Sequence, residues 1–250
     1  MLSTTVAEGL AILGKWASCP VDASACCDDP WLMELRLQGA GSDDSLLLRP
    51  VRSCGDAALL AEFGRAGLSR GSRERFAPYP WDSAALEAEL SASIAKHESK
   101  RDLHLVIVDE SGGCPAVIAY AFLWSVQDAI PELGIAVSDV FHGRGLGSAL
   151  LCVLEAVARK IGCMAIELTT MQGNEPAFQL YWKAGYELLG LIRNPLEVDV
   201  TAAFAGEVNA TKFCDERHMV RILSEAQRDE ILALMEAKRS KAERLFGTPA

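Results

Sequence analysis

The sequence predicts a mixed α/β (α+β) fold. Three observations predict it. Strand-like runs follow one another in series from Leu103 to Val137, with only a turn between the first two. One strand–helix–strand crossover follows, through a glycine-rich turn at Gly143–Gly147. A further helix, more strands and a charged C-terminal helix come after it. This is not the strict alternation of a doubly wound sheet.

Each element has its own signal. Residues 1–44 read as an N-terminal extension, with Leu10, Ile12 and Leu13 on a short helix, turn-forming residues at Asp22–Pro30, and a linker at Gly39–Asp44. Ser45–Val51 reads as a strand, and Asp56 as the cap of a helix to Phe63. Residues 64–82 mix Gly, Pro and Arg with aromatics and read as a long loop or broken helix. Leu86, Leu90 and Ile94 mark a helix from Ser83 to about Lys100. Leu103–Val108, Ala116–Val126 and Ile130–Val137 are strands, the first pair joined at Gly112-Gly113. Leu146, Leu150, Leu154, Val157 and Ile161 share one face of a helix that Gly162 stops. Met164–Leu168 is a strand, Pro176–Ala184 a short helix, and Tyr186–Ile192 and Lys212–Leu223 further strands. Ser224-Glu-Ala-Gln227 is a capping box for a last helix reaching about Phe246. The domain expectation is an extension (1–44), a central domain (45–224) and a C-terminal helix (225–250).

Composition narrows the function. The chain has 250 residues, 50% of them hydrophobic, enough for a sizeable core. Its net charge of −10 argues against nucleic acid as a partner, because phosphate contacts need clustered Lys and Arg. No run of 18 apolar residues marks a membrane span. The N-terminus lacks a basic start and carries Glu8, a poor match to a leader peptide. The eight cysteines form no C-x-x-C pair, and the four histidines have no zinc-finger spacing, so no metal is expected. Reduced thiols and a cytoplasmic location are the expectation, with Cys152 and Cys163 as small core residues.

The chemistry concentrates at Ile135–Leu151, IAVSDVFHGRGLGSALL. A strand enters a glycine turn that opens a helix. The first amides of such a helix have no intrahelical partner and lie at its positive end, while glycines let a phosphate approach the backbone. Spacing separates three kinds of phosphate turn. A P-loop needs a Lys after its last glycine, and here Ser148 stands five after Gly143 with no Lys following. The dinucleotide fingerprint G-x-G-x-x-G fails because Gly143, Gly145 and Gly147 bring the third glycine one residue early. Its ribose-binding acid would have been Glu167, more simply a glutamate at a strand edge. The pattern [RQ]-x-x-G-x-[GA] fits at Gly145 and Gly147, with His142 in place of the usual first residue.

A second block, GNEPAFQLYWKAGYELLG (Gly173–Gly190), completes the picture. Together with Glu132–Leu151 it resembles the GNAT superfamily of acetyl-CoA-dependent N-acyltransferases. Asn174, Ala177, Leu180, Tyr181, Gly185 and Tyr186 fill that family's N-x-x-A-x-x-L-Y-x-x-x-G-[FY] pattern without gaps. The two blocks cover about 60 residues, and weaker similarity runs from Ser45 to about Leu223.

The resemblance implies a single domain with a mixed, splayed β-sheet flanked by helices. The strands Ile130–Val137 and Met164–Leu168 would part to admit the pantetheine arm. The backbone of Ile135, Ala136 and Val137 would pair with it as with an added strand. His142, Gly143, Arg144, Gly145, Leu146, Gly147 and Ser148 would hold the pyrophosphate. Asn174 would bind near the pantetheine, with Ala177 and Tyr181 completing the coenzyme contacts. The Val137 N–H would stabilise the oxyanion. Tyr181 would protonate the leaving thiolate, and Glu132 would be the base, with Glu167 a lesser candidate. The implied activity is acetyl transfer from acetyl-CoA, a cosubstrate, to a primary amine of a small molecule or peptide by direct attack in a ternary complex. Protein N-terminal acetylation and a catalytically degenerate, acyl-CoA-binding regulatory module are the alternatives. The segment Ser69–Ser83 would shape the acceptor site, with Arg70, Arg73 and Arg75 as anion binders and Phe76, Tyr79 and Trp81 as a wall, or, as the preferred reading, would be a solvated basic loop anchored by those aromatics. The expected state is a monomer or homodimer.

Overall fold

The computed structural model describes residues 29–38, 45–52, 55–198 and 210–249. The expected helix at Leu10–Leu13, most of the Asp22–Pro30 turn and the Gly39–Asp44 linker lie outside the described residues. The chain divides into two compact units, Met1–Cys163 and Met164–Ala250.

The described residues of the first unit form five strands: β1 (Leu35–Gln38), β2 (Ser45–Pro50), β3 (Leu103–Asp109), β4 (Ala116–Trp124) and β5 (Glu132–Val137). They pair antiparallel in sequence order. Its helices are α1 (Asp56–Glu62), α2 (Arg70–Arg75), α3 (Leu86–Glu98) and α4 (Leu146–Ile161). Buried residues of α1 and α3 (Leu60, Ala61, Leu86, Leu90, Ile94) pack with Val106, Tyr120, Phe122 and Ala136 from one face of the sheet. Strand alternation sends Ala119, Ala121 and Leu123 to the opposite face. Helix α4 packs on β4 and β5. It starts after Gly145 and stops at Gly162, both left-handed, and it buries Leu146, Leu150, Leu154 and Val157.

One expectation changes here, and another is narrowed. Asp56 does not cap α1. Gly55 holds the N-cap position, and the buried Asp56 carboxylate instead takes a bidentate Arg49 guanidinium (2.6 and 2.9 Å) and the Arg52 N–H (2.6 Å). For residues 64–82 the long-loop alternative falls away and the broken helix holds. A π-helical turn at Phe63–Gly67 extends α1, and Ser69 caps α2 by accepting from Ser72 N–H. The turn needs Gly64, because a Cβ there would meet the Trp81 ring at 2.1 Å.

A buried polar chain crosses this core. Tyr79 and Tyr120 hydroxyls meet at 2.9 Å, and Tyr120 reaches His104 Nδ1 at 2.7 Å. The His104 N–H donates to His97 Nδ1. Burial keeps the chain uncharged: it pushes His97 down to about 4, lowers His104 and raises Tyr120.

The second unit contains β6 (Ala165–Met171), α5 (Glu175–Lys183), β7 (Glu187–Val198), β8 (Ala210–Ile222) and α6 (Arg228–Phe246). Strand β8 lies between β6 and β7 and is antiparallel to both. Helix α6 packs on β7 and β8, with Arg239 donating to the Leu189 carbonyl at 2.6 Å. The Ser224 capping box does not form. Gln227 N–H bonds the Ser224 carbonyl, and the Gln227 side chain reaches Met164 Sδ. A 3-10 turn at Glu225–Gln227 therefore precedes α6 and delays its start to Arg228. The expected mixed α/β class holds in both units.

Replacing Asp56 with Ala strands the buried Arg49 charge. Equilibrium urea unfolding of D56A is expected to show a loss of about 3 kcal/mol or more. A loss below about 1 kcal/mol would mean that the pair does not hold α1 on the sheet.

Candidate active site

The glycine turn connects β5 to α4. Gly143 and Gly145 have φ of +72° and +85°, a region open to glycine and strained for other residues. These two residues reverse the chain within a few positions and start α4. His142, Gly143, Arg144 and Gly145 are exposed, and a Cβ on Gly143 would touch nothing within 4 Å. No side chain caps α4. Its first intrahelical bond runs from Ala149 N–H to the Gly145 carbonyl, which leaves the amides of Leu146, Gly147 and Ser148 without intrahelical acceptors. These open amides, at the positive end of a 16-residue helix, suit a phosphate.

The remainder of the turn is held by side chains. His142 Nε2 lies 2.8 Å from the Val137 carbonyl. A carbonyl only accepts, so Nε2 carries the hydrogen. The Arg144 guanidinium covers the Phe141 ring at 4.7 Å. Asp139 Oδ2 accepts from the Ser69 N–H at 3.2 Å, tying the turn to the start of α2. Burial works to raise the Asp139 pKa, but hydrogen bonds from Ser69 and Ser72 and the nearby His142 outweigh it and hold the carboxyl low.

The strand leading into this turn has two faces. Glu132, Gly134 and Ala136 share the face on which Ala136 joins the aromatic core. Glu132 is half-buried and lies opposite Trp124. Ile135 and Val137 are half-buried on the other face. Gly134 leaves space for Phe122, whose ring would lie 2.2 Å from a Cβ there.

The second unit places Asn174, Ala177 and Tyr181 on one side of α5, at intervals of three and four. Asn174 occupies the N-cap position, but its side chain does not cap the helix. Asn at that position ordinarily bonds the first-turn amides, and this amide makes no such bond. Tyr181 is 6% exposed and packs 5.7 Å from the Tyr186 ring. Desolvation pushes its hydroxyl well above the ordinary tyrosine value, so it keeps its proton at neutral pH.

The sequence profile of the acetyltransferase (GNAT) family matches residues 70–186, from the start of α2 to Tyr186. Over that segment the chain is similar to GNAT-family acetyltransferases. A GNAT-family acetyltransferase from Streptococcus pneumoniae is 24% identical, with a TM-score of 0.54 over 72% of this chain and 99% of that one. A ribosomal-protein-S5-alanine acetyltransferase from Vibrio fischeri is 14% identical, with a TM-score of 0.56 over 72% and 94%. A spermidine N-acetyltransferase from Vibrio cholerae, solved with CoA and spermine, is 18% identical, with a TM-score of 0.52 over 71% and 95%. At these identities the likeness establishes the GNAT fold. No curated protein matches the chain in sequence.

In the segment Ser69–Ser83 the aromatics act as anchors and the basic residues stay at the surface or bind local groups, the preferred of the two readings. Arg70 pairs with Glu74 at 2.9 Å, and Arg73 donates to the carbonyls of Gly64, Arg65 and Leu68. Both therefore serve the local fold; Arg75 is exposed. Tyr79 and Trp81 are buried in the core rather than lining a wall, with Trp81 Nε1 donating to the Phe76 carbonyl at 2.7 Å. Phe76 is half-buried and stacks on Trp81. Aromatic area of this size is more stable inside the core than lining an open site.

Glu167 departs from its expected place. It lies inside β6, buried, and not at a strand edge. Its carboxylate meets His218 Nε2 at 3.0 Å and Lys238 Nζ at 2.7 Å. Burial alone would raise its pKa; His218 and Lys238 together overcome that and lower it. A carboxylate bound on both oxygens is a poor general base. His218 could not have been placed beside it from sequence, because that contact depends on the β6–β8 register. The Asp139-x-x-His142 spacing was a usable sign of the turn's acid–imidazole pair.

Among the described residues no group of three or more His, Cys, Asp or Glu could hold a metal ion, and no helix is long and apolar enough to cross a membrane. Burial pushes the Cys163 thiol up to about 11, so it stays an inert core thiol.

Because folding lowers the Glu167 pKa from 4.5, its ion pairs contribute stability above that value, and the contribution is lost as pH falls through the lower folded value. E167Q is expected to be less stable than wild type at neutral pH, with the gap closing below pH 4.5 in thermal melts. A gap that is constant with pH would remove the ionised carboxylate as its source.

Proposed function

We propose that the protein transfers an acetyl group from acetyl-CoA to a primary amine of a small molecule or peptide, by direct attack in a ternary complex. The observation that carries this reading is the uncapped start of α4 behind an open glycine turn, inside the segment similar to GNAT-family acetyltransferases. Open amides at Leu146–Ser148 and exposed glycines fit a diphosphate. An Asn174 amide that does not cap its own helix fits a second polar contact to the coenzyme. The coenzyme supplies an acyl thioester, and the chain's residues supply the rest.

The backbone of Ile135, Ala136 and Val137, at the end of β5, binds the extended arm of the coenzyme. The Val137 N–H stabilises the oxyanion. Glu132, on the core-facing side of β5, takes the proton that a protonated amine (pKa roughly 10 for an alkylamine) must lose. Tyr181 holds its proton at Oη for the leaving sulfur. A tyrosine hydroxyl is protonated at neutral pH, as an acid must be before transfer, and its place in the Asn174–Tyr186 pattern supports this role. The similar structures include enzymes named for spermidine and for a ribosomal-protein alanine. Both kinds of acceptor present an amine, which is the class proposed for this chain.

Thiol release from acetyl-CoA with a panel of polyamines, amino acids and peptides tests the activity. Y181F is expected to lower turnover about a hundredfold or more, with a far smaller change in acetyl-CoA affinity. Unchanged turnover removes Tyr181 from the mechanism. CoA binding by the wild type with no release to any acceptor would make the chain an acyl-CoA-binding module.

A further inference from the structure

The turn that would hold a diphosphate also contains an anion. Asp139 begins the 3-10 turn between β5 and the glycines. Its Oδ2 is engaged by Ser69, but its buried Oδ1 has no hydrogen-bond partner. The hydrogen bonds from Ser69 and Ser72 keep this carboxyl ionised. An ionised carboxylate beside a bound diphosphate is a repulsive arrangement, strongest where the surroundings exclude water. A group that can supply positive charge therefore matters here.

His142 is placed to supply it. Its Nε2 lies 3.8 Å from the orphaned Asp139 Oδ1 and 2.8 Å from the Val137 carbonyl. Because Nε2 carries the hydrogen, the neutral ring has its lone pair at Nδ1. Protonation turns Nδ1 into a second donor and makes the ring a cation. Arg or Gln would carry donors at every physiological pH; histidine alone changes charge in that range. The other charge on the turn, Arg144, is permanent and rests on Phe141. The residues of α2 that meet this cluster, Ser69 and Ser72, are uncharged.

We propose that binding of the coenzyme's diphosphate at His142–Ser148 is coupled to uptake of one proton by His142. The proton comes from solvent and goes to Nδ1. Nε2–H stays on the Val137 carbonyl, and Asp139 stays ionised. The imidazolium then lies between two anions, the Asp139 carboxylate and the diphosphate. Such a setting favours the charged ring, so coenzyme affinity falls as pH rises. The coupling rests on the coenzyme reading above and adds a pH control to that site.

Calorimetric titration of the full chain with CoA tests it, in phosphate and in Tris at the same pH. The dependence of observed heat on buffer ionisation enthalpy gives the protons taken up. Wild type is expected to take up a positive fraction of a proton, and H142Q and H142R essentially none beyond CoA's own. From pH 6 to pH 8 the wild-type Kd should rise up to about tenfold more than that of H142Q. Equal proton uptake in all three proteins overturns the proposal. So does a His142 imidazole resonance whose NMR titration is the same with and without CoA, a readout that needs no folded variant. Failure of the wild type to bind CoA at any pH removes the coenzyme reading itself, which separates that outcome from failure of the coupling.

Discussion

The change of backbone direction between β5 and α4 is the constraint from which the site follows. An extended strand must become a helix within a few residues, and two glycines in the left-handed region allow it. Because Gly145 has no side chain to offer as a cap, α4 begins with open amides. The same absence of side chains exposes the backbone of the turn. One local requirement thus produces three properties: a positive helix end, unpaired donors and room for a phosphate. The long apolar face of α4 supports the turn by anchoring the helix on β4 and β5. Without that anchor a short glycine-rich segment would have no fixed shape.

Around this turn the polar side chains of the first unit act mainly on one another. Ser69 caps α2 and its amide also holds Asp139; His142 holds the Val137 carbonyl. Arg73 binds carbonyls at the end of the turn that extends α1. These contacts set the shape of the segment that a family resemblance would assign to the acceptor. Basic residues with partners of this kind are less available to an anionic ligand.

The second unit uses buried charge differently. Glu167 is buried within β6 yet remains ionised, because Lys238 and His218 together compensate for its burial. Such a pair adds little net stability over a well-packed apolar substitute, but breaking it is costly. It fixes which turn of α6 lies over β6 and β8. Tyr181 shows the opposite outcome of burial. Desolvation raises the pKa of its hydroxyl, with no opposing charge among the causes.

Sequence alone determined the order and type of most elements from β2 onward, because hydrophobic period and glycine punctuation are local signals; β1 and α2 carried no such signal. The helix over Leu146–Ile161 and its stop at Gly162 are the clearest cases. The spacing of Gly143, Gly145 and Gly147 and the run Asn174–Tyr186 carried the family reading for the same reason. Tertiary structure decided what side chains with more than one possible partner would do. Asp56 could cap a helix or bind Arg49, and the second outcome won because β2 brings the guanidinium to it. Trp81 and Tyr79 could line a site or fill a core, and the space left by Gly64 and the hydroxyl of Tyr120 drew them inward. Glu167 could be a strand-edge acid or an ion-pair centre, and strand register supplied His218. Such choices depend on residues 7 to 71 positions apart, and no local pattern in the chain encodes which of them meet.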